Sequence, residues 1–150
     1  MVGARWRRFF MDLAARASEE SKDPKTKVGA VIASAHMGLL STGFNGFPIG
    51  CDDSHMQSVG ARRAAQAGIL HAEHNALIWA DPRRLAGSFM FVTKTPCIPC
   101  TAMICQYRAI YNGPVEIYCP PPEADSEWLA LCDLQDDMLR RAGITMWWLS

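Results

Sequence analysis

The sequence predicts a three-layer α/β/α sandwich built on a five-stranded mixed sheet, and three observations carry that prediction. Apolar residues recur at helical spacing and at strand spacing in alternation along most of the chain, which is the pattern of repeated β–α–β units. Right-handed crossovers between such units place helices on both faces of one sheet. The chain is 150 residues long, with 49% hydrophobic and 20% charged residues, so it can bury its own core as one domain spanning 1–150.

Each element has its own warrant. Trp6, Phe9, Phe10, Leu13 and Ala17 recur at helical spacing, and the helix must stop by Asp23, because a residue before proline is pushed out of the helical region. Residues 28–33 and 39–44 are apolar and β-branched runs joined by a short link containing Gly38, which predicts a hairpin; Asn45-Gly46 then opens a loop with Pro48 and Gly50. Helical spacing resumes from residue 69 to about residue 80 and ends at Asp81-Pro82. Residues 89–92 form a short apolar strand, 97 to about 107 a helix, and 115–118 another strand. Asp125 or Ser126 can cap a helix that turns Leu131, Leu134, Met138 and Ala142 inward and ends at Gly143, and residues 144–149 close the chain as the last strand.

Charge excludes some partners. Fifteen basic and fifteen acidic residues cancel, which gives no electrostatic case for nucleic acid or a membrane surface. The balance hides a gradient: Arg5, Arg7, Arg8, Arg16, Lys22, Lys25 and Lys27 crowd the first 27 residues, and acids dominate residues 114–150. Six dispersed cysteines, no uninterrupted apolar leader and no apolar run of about 18 residues point to a reducing cytoplasm.

The chemistry lies in two segments, HAEHN at residues 71–75 and PCIPC at 96–100. His71, Cys97 and Cys100 are three donors of the kind zinc prefers, and three protein ligands leave the fourth tetrahedral position open, as catalytic zinc sites do. Cys97 and Cys100 are spaced i, i+3 at a helix start, which puts both sulfurs on one face where the helix dipole favours thiolates. His71 starts the preceding helix in the same β–α register, and Glu73 can reach water beside the metal and carry protons. A redox role for the two cysteines leaves His71 and Glu73 unexplained, and Cys105 lies too far into the same helix to complete a structural four-ligand site.

The H-x-E…P-C-x-x-C pattern is similar to that of zinc nucleobase deaminases. SKDP (21–24), VGAVI (28–32), STGFNGFP (41–48), GCDD (50–53), HAEHNA (71–76) and PCIPC (96–100) stand in the order seen in deoxycytidylate (dCMP) deaminases, and the chain resembles a short member of that family. The resemblance implies a cytidine deaminase-like fold, Zn2+ on His71, Cys97 and Cys100, and conversion of dCMP and water to dUMP and ammonia with Glu73 as proton carrier. It also implies that the Ala72 N–H and the carbonyl near Pro96 hold the pyrimidine edge, that Asn45 meets the 3′-hydroxyl, and that a cationic cluster after the first helix, Ser21, Lys22 and Lys27 with Lys25, receives the 5′-phosphate. Family members form homo-oligomers from dimers to hexamers and respond to dCTP and dTTP. Phe44 stands where tyrosine is common and His74 where an apolar or amide residue is usual, so weak or absent allostery is expected. Some viral relatives carry a second zinc; here Cys51 and His55 are the only nearby donors, and no second site is expected. Two rival readings remain: a deaminase of free (deoxy)cytidine or of a base in RNA, and a non-catalytic zinc-stabilised binding module, for which Glu73 has no use.

Overall fold

The computed structural model describes residues 1–54, 68–124 and 127–150; the expected cap at Asp125 or Ser126, and His55, lie outside the described residues. Among the described residues, the α-helices and strands run α1 (Ala4–Ser18), β1 (Gly29–Ala33), β2 (Leu39–Phe44), α2 (Ala72–Trp79), β3 (Phe89–Val92), α3 (Ile98–Tyr111), β4 (Glu116–Cys119), α4 (Cys132–Ala142) and β5 (Thr145–Trp148). The strands form one mixed sheet in the order β2-β1-β3-β4-β5. β1 is antiparallel to both β2 and β3, while β3, β4 and β5 run parallel. The change of direction follows from the hairpin: a short link reverses the chain, whereas each later strand returns through a helix.

β1 is buried along its whole length, and its alternating side chains feed two cores. Ala30 and Ile32 join Met90, Val92 and Ile117 beneath α2, α3 and α4, whereas Val31 and Ala33 join Phe91 and Tyr118 beneath α1. On the α1 side the ring of Phe10 lies 5.1 Å from Phe91, which stacks on Tyr118 at 4.8 Å. Among the described residues the three layers are therefore α1, the sheet, and α2 with α3 and α4. No helix among the described residues is long and apolar enough to cross a membrane.

Strand boundaries shift by at most a residue from the expectation, and three helices differ by more. α2 starts at Ala72, not near residue 69, because Leu70 is held in a bridge to Gly46 by reciprocal backbone bonds of 2.8 and 3.0 Å. α3 runs on to Tyr111 and ends at Asn112, whose left-handed backbone (φ 60°) makes the stop. α4 starts at Cys132 after a 3-10 turn, so its inner face is Gln135 and Leu139, with Met138 and Ala142 half-buried; Leu131 and Leu134, expected inside, are exposed.

The layer that carries the chemistry is set by a close approach of β2 to α2. Ser41 Oγ donates to the Ala76 carbonyl at 2.6 Å, and Asn75 Nδ2 donates to the Phe44 carbonyl at 2.8 Å. Between them, a Cβ at Gly43 would lie 2.3 Å from Ala72 O and 2.4 Å from Ala76 N, both backbone atoms that cannot yield. Gly43→Ala is expected to cost about 3 kcal/mol or more, at or above the usual range for overpacking. Gly46→Ala, with nothing within 4 Å of the added Cβ, is expected to cost well under about 1 kcal/mol. Urea denaturation of both variants checks this; equal midpoints would show that the strand–helix contact has slack.

Candidate active site

Each of the two helices that carry the candidate metal ligands is capped by one of them. His71 is the N-cap of α2 and Cys97 the N-cap of α3, each with an extended backbone (φ −76°, ψ 158° and φ −73°, ψ 169°). N-cap side chains ordinarily accept from their own helix, yet neither of these does. They turn to each other: His71 Nδ1 lies 3.4 Å from Cys97 Sγ and 3.2 Å from Cys100 Sγ. The three donor atoms all lie within 4.8 Å of one another. A tetrahedral zinc with bonds of about 2.0–2.1 Å to nitrogen and 2.3 Å to sulfur would separate such donors by roughly 3.6 Å, so the set fits that ion. Cys100 donates to Cys97, which holds the Cys97 thiol well below the usual range and pushes Cys100 up; a cation arriving here displaces the remaining proton. His74 stacks over His71 with ring centroids 5.6 Å apart and 18° between planes, which limits rotation of the ligand ring.

Glu73 is the second residue of α2 and is 4% exposed. Burial pushes its carboxyl up to about 7, against a hydrogen bond from its own backbone N–H that favours the charged form. A carboxyl poised there can both take and return a proton at neutral pH. It faces a cavity of about 340 Å³ lined by Asn45, Ala72 and Thr95 as well as His71 and Cys97. Among the expected substrate groups, Asn45 and Ala72 are thus brought to the metal-ligand cluster.

Asn45 also builds the wall it sits in. Its Oδ1 accepts from Val28 N at 2.8 Å and its Nδ2 donates to Thr26 O at 2.7 Å, which leaves one N–H and one lone pair for a ligand. Ser21 is 2% exposed, and its hydroxyl is spent on the Asn45 carbonyl at 2.8 Å; it braces the loop from behind. Lys22 is exposed and pairs with Asp53 at 2.5 Å, away from the cavity lining. Lys27 donates to the Ser21 carbonyl and, with Lys25 and Lys94, lines a second cavity of about 490 Å³. The two cavities share Thr26, Val28, Lys94 and Thr95, so the second opens beside the first. Pro96 does not line the first cavity; its carbonyl accepts from Gln135 Nε2 at 2.7 Å.

Lys94, Thr95 and Asp23 line the site without having been singled out by the sequence. Lys94 and Thr95 stand directly before PCIPC at the C-terminal end of β3, which is where ligands bind in open α/β sheets, so that signal was present. Asp23 reads as a helix stop, but its buried carboxylate accepts from the N–H groups of Lys25 and Thr26 at 2.9 and 3.1 Å and turns the lysine loop toward the site. Gln135 carries no local signal at all.

Residues 4–113 match the family model described as the cytidine and deoxycytidylate deaminase zinc-binding region. The chain belongs to this deaminase family. It is 37% identical over 148 residues to an uncharacterised deaminase of the luxG 3′ region of Aliivibrio fischeri, covering 97% of this chain and 95% of that one. Human deoxycytidylate deaminase is 32% identical over 108 residues, covering 67% of this chain, which spans only 59% of the human enzyme. The dCMP deaminase of cyanophage S-TIM5, in a crystal structure with dCMP and dUMP, superposes with a TM-score of 0.69 over 99% of this chain and 100% of that one at 23% identity, and so shares the fold.

For this deaminase, Cys97→Ala is expected to abolish stoichiometric zinc binding, since two remaining donors hold the ion far less tightly than three. Metal analysis of the purified variant beside the parent checks it; full zinc occupancy in Cys97→Ala would remove Cys97 from the ligand set.

Proposed function

We propose that this protein deaminates dCMP, converting dCMP and water to dUMP and ammonia, with zinc held by His71, Cys97 and Cys100. The observation that carries the reading is the geometry of Glu73, a buried carboxyl beside the three converging donors of His71, Cys97 and Cys100 at the wall of a cavity of about 340 Å³. The chemistry zinc supplies when bound is a lower pKa for water, from about 15.7 towards about 7. Glu73 takes up the two protons that water gives up in turn, passing one to N3 and the other to the departing amino group. The oxygen becomes the 4-carbonyl, and the nitrogen leaves as ammonia. The Ala72 N–H and the free half of the Asn45 amide orient the nucleoside, the latter at its 3′-hydroxyl.

The phosphate is received by Lys25, Lys27 and Lys94, which line the adjoining cavity with Glu123, in preference to Lys22, which lines neither cavity and pairs with Asp53. This favours a nucleotide over a free nucleoside, because three cations beside the catalytic cavity suit a dianion. The unbridged cysteines suit a reducing cytoplasm. Exposed Leu39, Ile78 and Trp79 on β2 and α2 suit a homo-oligomer. Phe44 offers no hydroxyl for a dCTP or dTTP effector, so regulation by them is weak or absent.

Ammonia release from dCMP, deoxycytidine, dCTP and CMP tests the substrate directly; equal kcat/KM for dCMP and deoxycytidine would overturn the nucleotide reading. Glu73→Gln is expected to keep zinc and fold while losing about 10²–10⁴-fold or more in kcat, the scale of general acid–base assistance. Turnover within a few-fold of the parent would sink Glu73 as proton carrier. Lys94→Ala is expected to lower kcat/KM for dCMP by about 10–100-fold, one charge-assisted hydrogen bond at about 1.4 kcal/mol per decade, with deoxycytidine untouched. Lys22→Ala serves as the contrast, and a larger loss there than in Lys94→Ala would return the phosphate to the first position of the loop.

A further inference from the structure

The structure assigns to Gln135 the positioning of the metal-ligating turn, residues 96–101, from a helix outside the matched family region. The inference rests on the zinc site proposed above and concerns a residue that touches neither metal nor substrate. Gln135 lies on α4, 5% exposed, on the face turned to α3. Its Nε2 uses both hydrogens: one goes to the Pro96 carbonyl at 2.7 Å, the other to Thr101 Oγ1 at 2.8 Å. Thr101 is fully buried and passes its own hydroxyl hydrogen to the Cys97 carbonyl at 2.9 Å.

The two carbonyls at the ends of this relay belong to the peptide planes on either side of Cys97. The backbone angles of Cys97 are the relation between those planes, so holding both holds the direction of its Cβ and sulfur. This matters because an N-cap lies outside the helical region, and the extended angles of Cys97 are not imposed by the helix ladder. The helix fixes only the second half, through the Thr101 N–H on the Cys97 carbonyl at 2.8 Å. Nothing else described here holds the Pro96 carbonyl. Only a neutral amide supplies two donors from one atom without adding a charge beside the thiolates; a carboxylate would accept only, and an ammonium would compete with the metal. Gln135 therefore acts through Cys97, as groups around a metal site orient its ligands.

A merely structural role, docking α4 onto α3, makes a different prediction. Leu139 lies one turn further along the same helix, 3% exposed, and bonds to nothing in the turn. Zinc affinity is measured by chelator competition on the parent, Gln135→Leu, Leu139→Ala, Thr101→Val and Thr101→Ser, well below the melting temperature of each metal-free protein. Gln135→Leu and Thr101→Val are expected to weaken zinc binding by about 10–100-fold, the scale seen when groups behind metal ligands are removed, with Thr101→Ser and Leu139→Ala staying within roughly twofold of the parent. Gln135→Leu within that same twofold, or an equal loss in Leu139→Ala, overturns the inference. If Gln135→Leu fails to fold, the Thr101→Val and Thr101→Ser pair decides, and equal affinities there overturn it. A parent that binds zinc but leaves dCMP unchanged overturns the substrate reading alone, whereas a parent without zinc affinity overturns both.

Discussion

Two helix N-termini meeting over one sheet edge set what the rest of the molecule must do. His71 and Cys97 each give up the usual duty of an N-cap, and their donor atoms converge with Cys100 at 3.2–3.4 Å from the imidazole nitrogen. Such a convergence brings thiols together with a buried carboxyl, an arrangement with a desolvation cost that a cation bound there would offset. The positive ends of both helices favour the anionic forms of the sulfurs. Burial meanwhile pushes the Glu73 carboxyl up, and Cys100 keeps its proton while Cys97 is held low, so the pocket carries exchangeable protons beside its donors.

Holding that convergence requires support from every side. β2 approaches α2 closely enough that only glycine fits at position 43, which fixes the height of His71 and Glu73 above the sheet. The bridge between Gly46 and Leu70 pins the entry to α2, and Asn45 ties the same loop to residues 26–28. On the other side, Gln135 and Thr101 hold the turn that carries Cys97. α1 contributes differently: through Phe10, Phe91 and Tyr118 it closes the opposite face of the sheet and leaves the catalytic face free for three helices.

In the lysine loop, neighbours in sequence part company in space. Lys22, Lys25 and Lys27 lie close in sequence, but an Asx turn at Asp23 sends their side chains in different directions. Lys22 leaves toward Asp53, while Lys25 and Lys27 join Lys94, which arrives from β3 about seventy residues later. Serine in the same cluster turns inward to bind a backbone carbonyl. A cluster along the chain is not a cluster in space once a turn intervenes.

The sequence by itself determined the order of the described α-helices and strands, the mixed five-stranded sheet and the three metal-ligand candidates with their glutamate. Those features are written in local periodicity, proline stops and the chemistry of residue types, each legible within a window of a few turns. Tertiary structure alone decided where α2 begins, since Leu70 is taken by a bridge to Gly46, and which face of α4 is buried, since that depends on its start at Cys132. It alone decided that the Ser21 hydroxyl turns to the Asn45 carbonyl, and that the Pro96 carbonyl faces Gln135. These are partnerships across 24 and 39 residues. No local pattern encodes them, because a hydrogen bond depends on where two distant atoms arrive after the sheet has set the spacing of its helices.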